Sequence, residues 1–199
     1  MKLQQKTRLL EAIAGKNRGL LATESDTVKI LTAVEQLEDH NPNPHPLEKA
    51  TALLDGDWRL LYTTSRSILG LDRVPLIQLG QIYQCIRVIE GKLYNIAEVS
   101  GVPFLESLVS VSARFTPVSE RRVDVKFERS IVGLQRAMGY QSVSQFIQDI
   151  ELGKRFLAID LSLESRDSSG WLEITYLDED LRIGRGNEGN VFILAKDKA

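Results

Sequence analysis

Between Ser107 and Glu128 the chain reads SLVSVSARFTPVSERRVDVKFE. Val109, Val111, Ala113 and Phe115 alternate with Ser110, Ser112 and Arg114. After the polar turn Ser119-Glu120-Arg121, Val123, Val125 and Phe127 alternate with Asp124, Lys126 and Glu128. Successive side chains on a strand point to opposite faces, so this spacing predicts two antiparallel strands, each with one dry and one wet face. The dry face must be buried, either against a second sheet or by curling the sheet into a barrel.

The same period recurs on both sides of this hairpin, in segments beginning at Trp58, Ile82, Leu93, Phe156, Trp171, Leu181 and Val191. In the Phe156 segment Leu157, Ile159, Leu161 and Leu163 share a face. Polar turns such as Glu90-Gly91-Lys92 and Gly186-Asn187-Glu188-Gly189 separate neighbouring segments, as hairpins require. Nine strands cannot close a purely antiparallel up-and-down barrel. One of them is therefore surplus, merged with a neighbour, or placed at a parallel seam.

Helical spacing marks the N-terminal part. Leu3, Leu10, Ile13 and Ala14 lie near one side of a helix, and Val28, Leu31, Val34 and Leu37 recur behind Thr23 and Asp26, which have capping-box spacing. Three prolines in the stretch His40-Asn41-Pro42-Asn43-Pro44-His45-Pro46 cannot continue a helix, so this is read as a solvated linker. A helical turn follows at Leu47 to Leu54. Between the strands, Val143, Phe146, Ile147 and Ile150 follow i, i+3, i+4, i+7, which predicts a short helix against one barrel end. The expected organisation is an N-terminal helical and Pro-rich segment over 1–46 and a mainly β domain, an antiparallel barrel, over 47–199.

Composition limits the function classes. The chain has 199 residues, 25 basic and 27 acidic side chains, a formal charge of −2 and 43% hydrophobic residues. That describes a folded globular protein without a global field for nucleic-acid phosphates, so nucleic acid is not an expected partner. Cys85 is the only cysteine, which removes internal disulfides and thiolate zinc sites. The N-terminus shows neither a signal nor a transit peptide, and Val74 to Ile86 is too short and too polar to span hydrocarbon. Membrane contact is expected to be peripheral.

The reactive residue types are poorly placed for catalysis. Gly184-Arg185-Gly186-Asn187-Glu188-Gly189 matches G-x-G-x-x-G, but Val191-Phe192-Ile193-Leu194 behind it is strand and not the helix whose N-terminus would meet a pyrophosphate. The glycines are read as a turn. His40 and His45 both lie in the Pro-rich linker, outside the β region, so neither nucleophilic catalysis nor a fixed metal site is expected of them. Asp178-Glu179-Asp180 sits at a hairpin tip without the further oxygen ligands a calcium loop needs. No catalytic residue, cofactor or metal is expected.

Gly56-Asp57-Trp58 opens the first strand and resembles the lipocalin signature, in which the tryptophan closes one barrel end beneath an arginine from a late strand. A guanidinium over an indole gains cation–π attraction. Arg182 and Arg185 are the candidates, and Arg185 is preferred because alternation puts it on the face of Leu181 and Ile183. Two longer stretches carry a family resemblance: DGDWRLLYTTS over 55–65 and YLDEDLRIGRG over 176–186. With Asn95-Ile96-Ala97-Glu98-Val99, Ala113-Arg114-Phe115 and Val125-Lys126-Phe127-Glu128 between them, they resemble the plastid lipid-associated proteins, or plastid fibrillins.

The resemblance implies a lipocalin-like β-barrel that binds or distributes carotenoids, quinones or other isoprenoid lipids at thylakoid membranes or lipid globules, without catalysis. The motif positions carried over are Gly56, Trp58, Tyr62, Thr63, Asp178, Asp180, Arg182, Arg185 and Gly186. The missing transit peptide suggests a cyanobacterial member, cytoplasmic or thylakoid-peripheral, or a trimmed plastid protein. By alternation the expected cavity lining is Leu60, Tyr62, Ile86, Val111, Phe127 and Ile159. Two other readings stay open: a bilin-handling, lyase-like protein and a structural coat or adaptor with a solid barrel.

Overall fold

The computed structural model describes residues 2–65, 78–100, 104–163 and 169–197. Two helices, α1 (Lys2–Ile13) and α2 (Glu24–Glu38), lead through the Pro-rich segment to short turns α3 (Pro46–Lys49) and α4 (Thr51–Leu54). Strands β1 (Gly56–Thr63), β2 (Gln78–Arg87), β3 (Lys92–Ser100), β4 (Ser107–Pro117) and β5 (Arg122–Leu134) follow. After α5 (Gln135–Met138) and α6 (Val143–Glu151) come β6 (Ile159–Ser162), β7 (Ser169–Leu177), β8 (Leu181–Gly186) and β9 (Val191–Lys196).

Every pairing between named strands is antiparallel, in the order β4-β3-β2-β1-β9-β8-β7-β5, and β4 pairs with β5 to close the ring. The ninth strand is accommodated by merging. β7 occupies the first half of β5, Arg122 to Lys126, and β6 continues along the same edge at Arg129 to Val132. Together they fill one of eight positions, which is how nine segments form a closed antiparallel barrel.

Apolar residues are buried in three places. Inside the barrel lie Trp58, Leu60, Ile82, Ile86, Leu93, Phe115, Val125 and Leu194 among others. Outside it, α1 and α2 place Leu9, Ile30, Val34 and Leu37 against Tyr62, Tyr176, Leu181, Ile183 and Ile193. The α2 helix is fixed by a capping box, with the Thr23 hydroxyl accepting from the Asp26 N–H and the Asp26 carboxylate accepting from the Thr23 N–H. A third cluster forms where Phe146 and Ile147 of α6 cover Cys85, Tyr94, Ile96, Leu108 and Ile131. This helix therefore lies along the outer wall and not against a barrel end. Several strands are dry on both faces, so an apolar face in this sequence does not by itself identify the interior.

The Pro-rich segment is also less solvated than its composition implies. β7 extends past Glu173, where its pairing with β5 ends, and leaves backbone groups without strand partners. The linker supplies them: Asn41 Nδ2 donates to the Thr175 carbonyl at 2.9 Å, Asn43 Nδ2 donates to the Leu177 carbonyl at 2.9 Å, and the Leu177 N–H donates to Asn41 Oδ1 at 3.2 Å. Buried or half-buried backbone groups must find partners, and two asparagine amides stand in for the missing strand here.

Candidate ligand cavity

At one end the barrel is sealed. Gly56 enters β1 with φ of +116°, a conformation that favours glycine, and the Lys196 ammonium packs against it, where a Cβ would lie 2.9 Å from Nζ. This sets Trp58 inside the barrel, fully buried, with its Nε1–H donating to the Leu54 carbonyl at 2.8 Å. The cation over its ring is Arg182, with Cζ 5.0 Å from the centroid. Lys196 approaches the ring as well, its Nζ 4.6 Å from the centroid, while donating to the Leu53 and Asp55 carbonyls. Burial pushes the pKa values of both cations down.

Arg185, the preferred arginine in the sequence reading, is not at the barrel end. Leu181, Ile183 and Arg185 face outward onto the helices, and Arg185 makes a two-bond ion pair with Glu38, Nε–Oε1 3.0 Å and Nη2–Oε2 2.8 Å. The alternation was read correctly but attached to the wrong face, because the apolar residues of β8, Leu181 and Ile183, lie on its outer wall under the helices, while its inner phase carries Arg182, Gly184 and Gly186. Lys196 was missed, although it is in phase with Leu194 and Phe192 at the end of β9.

Above the sealed end is an open cavity of about 620 Å³. Leu60, Ile82, Val109, Val111, Val125, Phe127 and Leu194 form much of its wall, and Ser65, Trp171, Asn187 and Asn190 stand among the residues nearer the mouth. Of the expected lining, Leu60, Val111 and Phe127 border it. Ile86 points inward but lies below, in the packed end beside Leu54 and Phe115. Tyr62 does not border the cavity. The β1–β9 register slips between Leu60 and Tyr62, and this bulge turns Tyr62 outward to pack under α1 and α2. Ile159 is absent from the cavity too: it pairs with Val132 beyond the start of β7 and is 63% exposed.

The remaining motif residues hold local structure. Asp178 accepts from Lys6 Nζ at 2.9 Å, from the Tyr176 hydroxyl at 2.7 Å, and from the Asp180 and Leu181 N–H groups at 2.8 Å each. Burial raises its pKa, but these four donors outweigh burial and hold the carboxyl below its ordinary range. Asp180 lies 3.6 Å from Lys6 Nζ. Thr63 is buried, its N–H donating to the Arg18 carbonyl and its hydroxyl accepting from Ser65. A Cβ on Gly186 would meet the Phe192 ring at 3.1 Å, and the glycine-rich run forms the β8–β9 hairpin. Cys85 is buried under α6, and burial pushes its thiol pKa up, away from nucleophilic character.

The cavity also contains polar residues that the sequence reading did not single out. Arg182 Nη2 donates to Gln84 Oε1 at 2.5 Å, and Gln84 Nε2 donates to Asn95 Oδ1 at 3.0 Å. Both amides border the cavity. Their signal in sequence was a polar side chain in the inward phase, Gln84 between Ile82 and Ile86 and Asn95 between Leu93 and Ala97.

A closed eight-stranded antiparallel barrel, sealed by a tryptophan under an arginine at one end and open onto an apolar cavity at the other, has the architecture of a lipocalin-like barrel protein. Within that class the chain belongs to the PAP_fibrillin family, the plastid lipid-associated proteins, whose model matches residues 3–195. It is 32% identical to "Light-induced protein, chloroplastic" of Solanum tuberosum, over 96% of this chain and 67% of that protein. It is 31% identical to "Probable plastid-lipid-associated protein 2, chloroplastic" of Arabidopsis thaliana, over 96% and 70%. It is 30% identical to "Chromoplast-specific carotenoid-associated protein, chromoplastic" of Cucumis sativus, over 96% and 67%. No solved structure matches the chain.

Proposed function

We propose that the barrel takes up one elongated apolar molecule, a carotenoid, quinone or other isoprenoid lipid, and helps distribute it at a lipid surface without catalysing a reaction. The observation that carries this reading is the open, largely apolar cavity of about 620 Å³, within the range that encloses a small-molecule ligand. The cavity favours a binder over a coat protein with a solid barrel. The names of the relatives, plastid-lipid-associated and carotenoid-associated, support the same ligand class, and their chloroplastic and chromoplastic labels support a plastid location.

The rim supports a peripheral position on lipid. Phe104 and Leu105 before β4, and Ile159 and Leu161 on β6, are exposed toward the open end. Among the described residues no helix is long and apolar enough to cross a membrane. A rim of this kind lowers the cost of moving an apolar molecule between a lipid phase and the cavity, because less apolar area meets water during transfer.

The test is organic extraction of the purified protein with absorption and mass spectra, beside displacement of a bound fluorophore by carotenoids, quinones and fatty acids. An isoprenoid or other lipid, bound below about millimolar concentration, is the expected result. Recovery of a bilin would favour the tetrapyrrole-handling alternative, and an empty barrel that binds nothing would overturn the proposal.

A further inference from the structure

Resting on the reading of the barrel as a lipid binder, we infer that Asn95 and Gln84 form a hydrogen-bond donor subsite in the cavity wall, which selects lipids carrying a carbonyl-type oxygen over pure hydrocarbons.

The polarity of the two amides is fixed by Arg182. A guanidinium has donors and no acceptor, so the Gln84 atom it meets must be the oxygen, and the nitrogen of Gln84 is then the group that faces Asn95. A nitrogen donor requires the oxygen of Asn95 in turn. Arg182 thus orients Asn95 through Gln84. Each amide oxygen already accepts one bond, whereas among the described residues both N–H bonds of Asn95 and one of Gln84 are uncommitted.

Two further features give this pair a direction. It lies among apolar cavity residues, with Asn95 opposite Val111 in the β3–β4 ladder, where an N–H without an acceptor is costly. Behind it Arg182 is 1% exposed, and among the described residues its Nε and Nη1 have no hydrogen-bond partner. A buried cation at the head of a hydrogen-bond chain polarises the chain, making the terminal N–H groups stronger donors. A quinone or ketone oxygen answers that arrangement. A hydrocarbon does not, and must leave the donors unsatisfied.

Displacement of diphenylhexatriene, a fluorophore without polar atoms, by a matched pair tests this: a benzoquinone with a decyl tail and decylbenzene. The wild-type chain should bind the quinone at least about fivefold more tightly than the hydrocarbon, the scale of one net hydrogen bond. Asn95→Leu should narrow that ratio by weakening the quinone relative to the hydrocarbon, with the N–H groups of Gln84 left as the remaining donors. Asn95→Asp, which keeps the shape and the oxygen that accepts from Gln84 while losing the donors, should also weaken the quinone. In the infrared, one carbonyl stretch of the bound quinone should fall below its value in hexane, and should recover in Asn95→Leu. Equal affinities in the wild type, or a loss in Asn95→Leu shared equally by both ligands, would overturn the subsite while leaving the lipid-binding barrel intact. Failure of both ligands to enter the wild-type barrel would remove the lipid-binding reading, and the subsite with it.

Discussion

The Arg182 guanidinium lies 5.0 Å from the centre of the Trp58 ring, in an interior where, among the described residues, no carboxylate is hydrogen-bonded to it. Trp58 also supports α4 through its bond to Leu54. Trp58→Ala should therefore cost about 3–5 kcal/mol, as expected for truncating a fully buried aromatic. Arg182→Met removes a buried cation and keeps most of its volume, so it should change stability by less than about 2 kcal/mol. Urea unfolding monitored by circular dichroism separates the two.

Arg185 should behave quite differently. Its pair with Glu38 is partly exposed, and exposed ion pairs contribute little, so a double-mutant cycle with Arg185→Ala and Glu38→Gln should give a coupling of about 1 kcal/mol or less. Salt should weaken it further. Fluorophore affinity should be unchanged in either single variant, because neither residue reaches the cavity.

Asp178 predicts an acid response with a definite sign. Its folded pKa is below the unfolded value, so the folded state binds fewer protons and the stabilisation is present above the unfolded carboxylate pKa of about 3.9. It is lost as pH falls through the folded pKa. Acid unfolding curves of the wild type and Asp178→Asn should accordingly differ most near neutral pH and converge at the acid end. Release of Lys6 should loosen α1 in the same range, visible as faster amide exchange.

The outer wall should be as sensitive as the interior. Ile30 of α2 is fully buried against the barrel, and Ile30→Ala should cost about 2–5 kcal/mol in chemical denaturation. Ligand affinity should change little once the protein is folded. A large loss of affinity in the folded variant would mean that the helices shape the cavity from outside.

Much of the barrel was legible because its strands obey a period of two. Ala113 to Pro117 of β4 pair with Phe127 to Val123 of β5 in the antiparallel hairpin that the alternation requires, and beyond a register shift β4 continues along Arg129 to Leu134. Errors arose where local irregularity shifted the phase or where the dry face was the outer one. The bulge between Leu60 and Tyr62 reversed Tyr62, and the helix-covered face of β8 was mistaken for the interior, so Arg185 was preferred to Arg182. Ile159 shows a third limit: its strand has an apolar face, but the pairing carries it past the cavity to the rim. The Gln84–Asn95 relay was visible only as two polar residues in an inward phase. Its donor polarity depends on a contact with Arg182, 98 residues from Gln84, which periodicity does not contain.

The asparagine splint on β7 has a temporal consequence. Asn41 is synthesised 134 residues before its acceptor at Thr175; Lys6 waits 172 residues for Asp178, and Glu38 waits 147 for Arg185. At about 5–20 residues per second, the interval before Asn41 meets its partner is on the order of ten seconds. During that time the apolar stripe of the leading helices has no wall to cover. The N-terminal side of each of these contacts is made well before its partner, and a nascent molecule has a defined window in which a holding chaperone is useful.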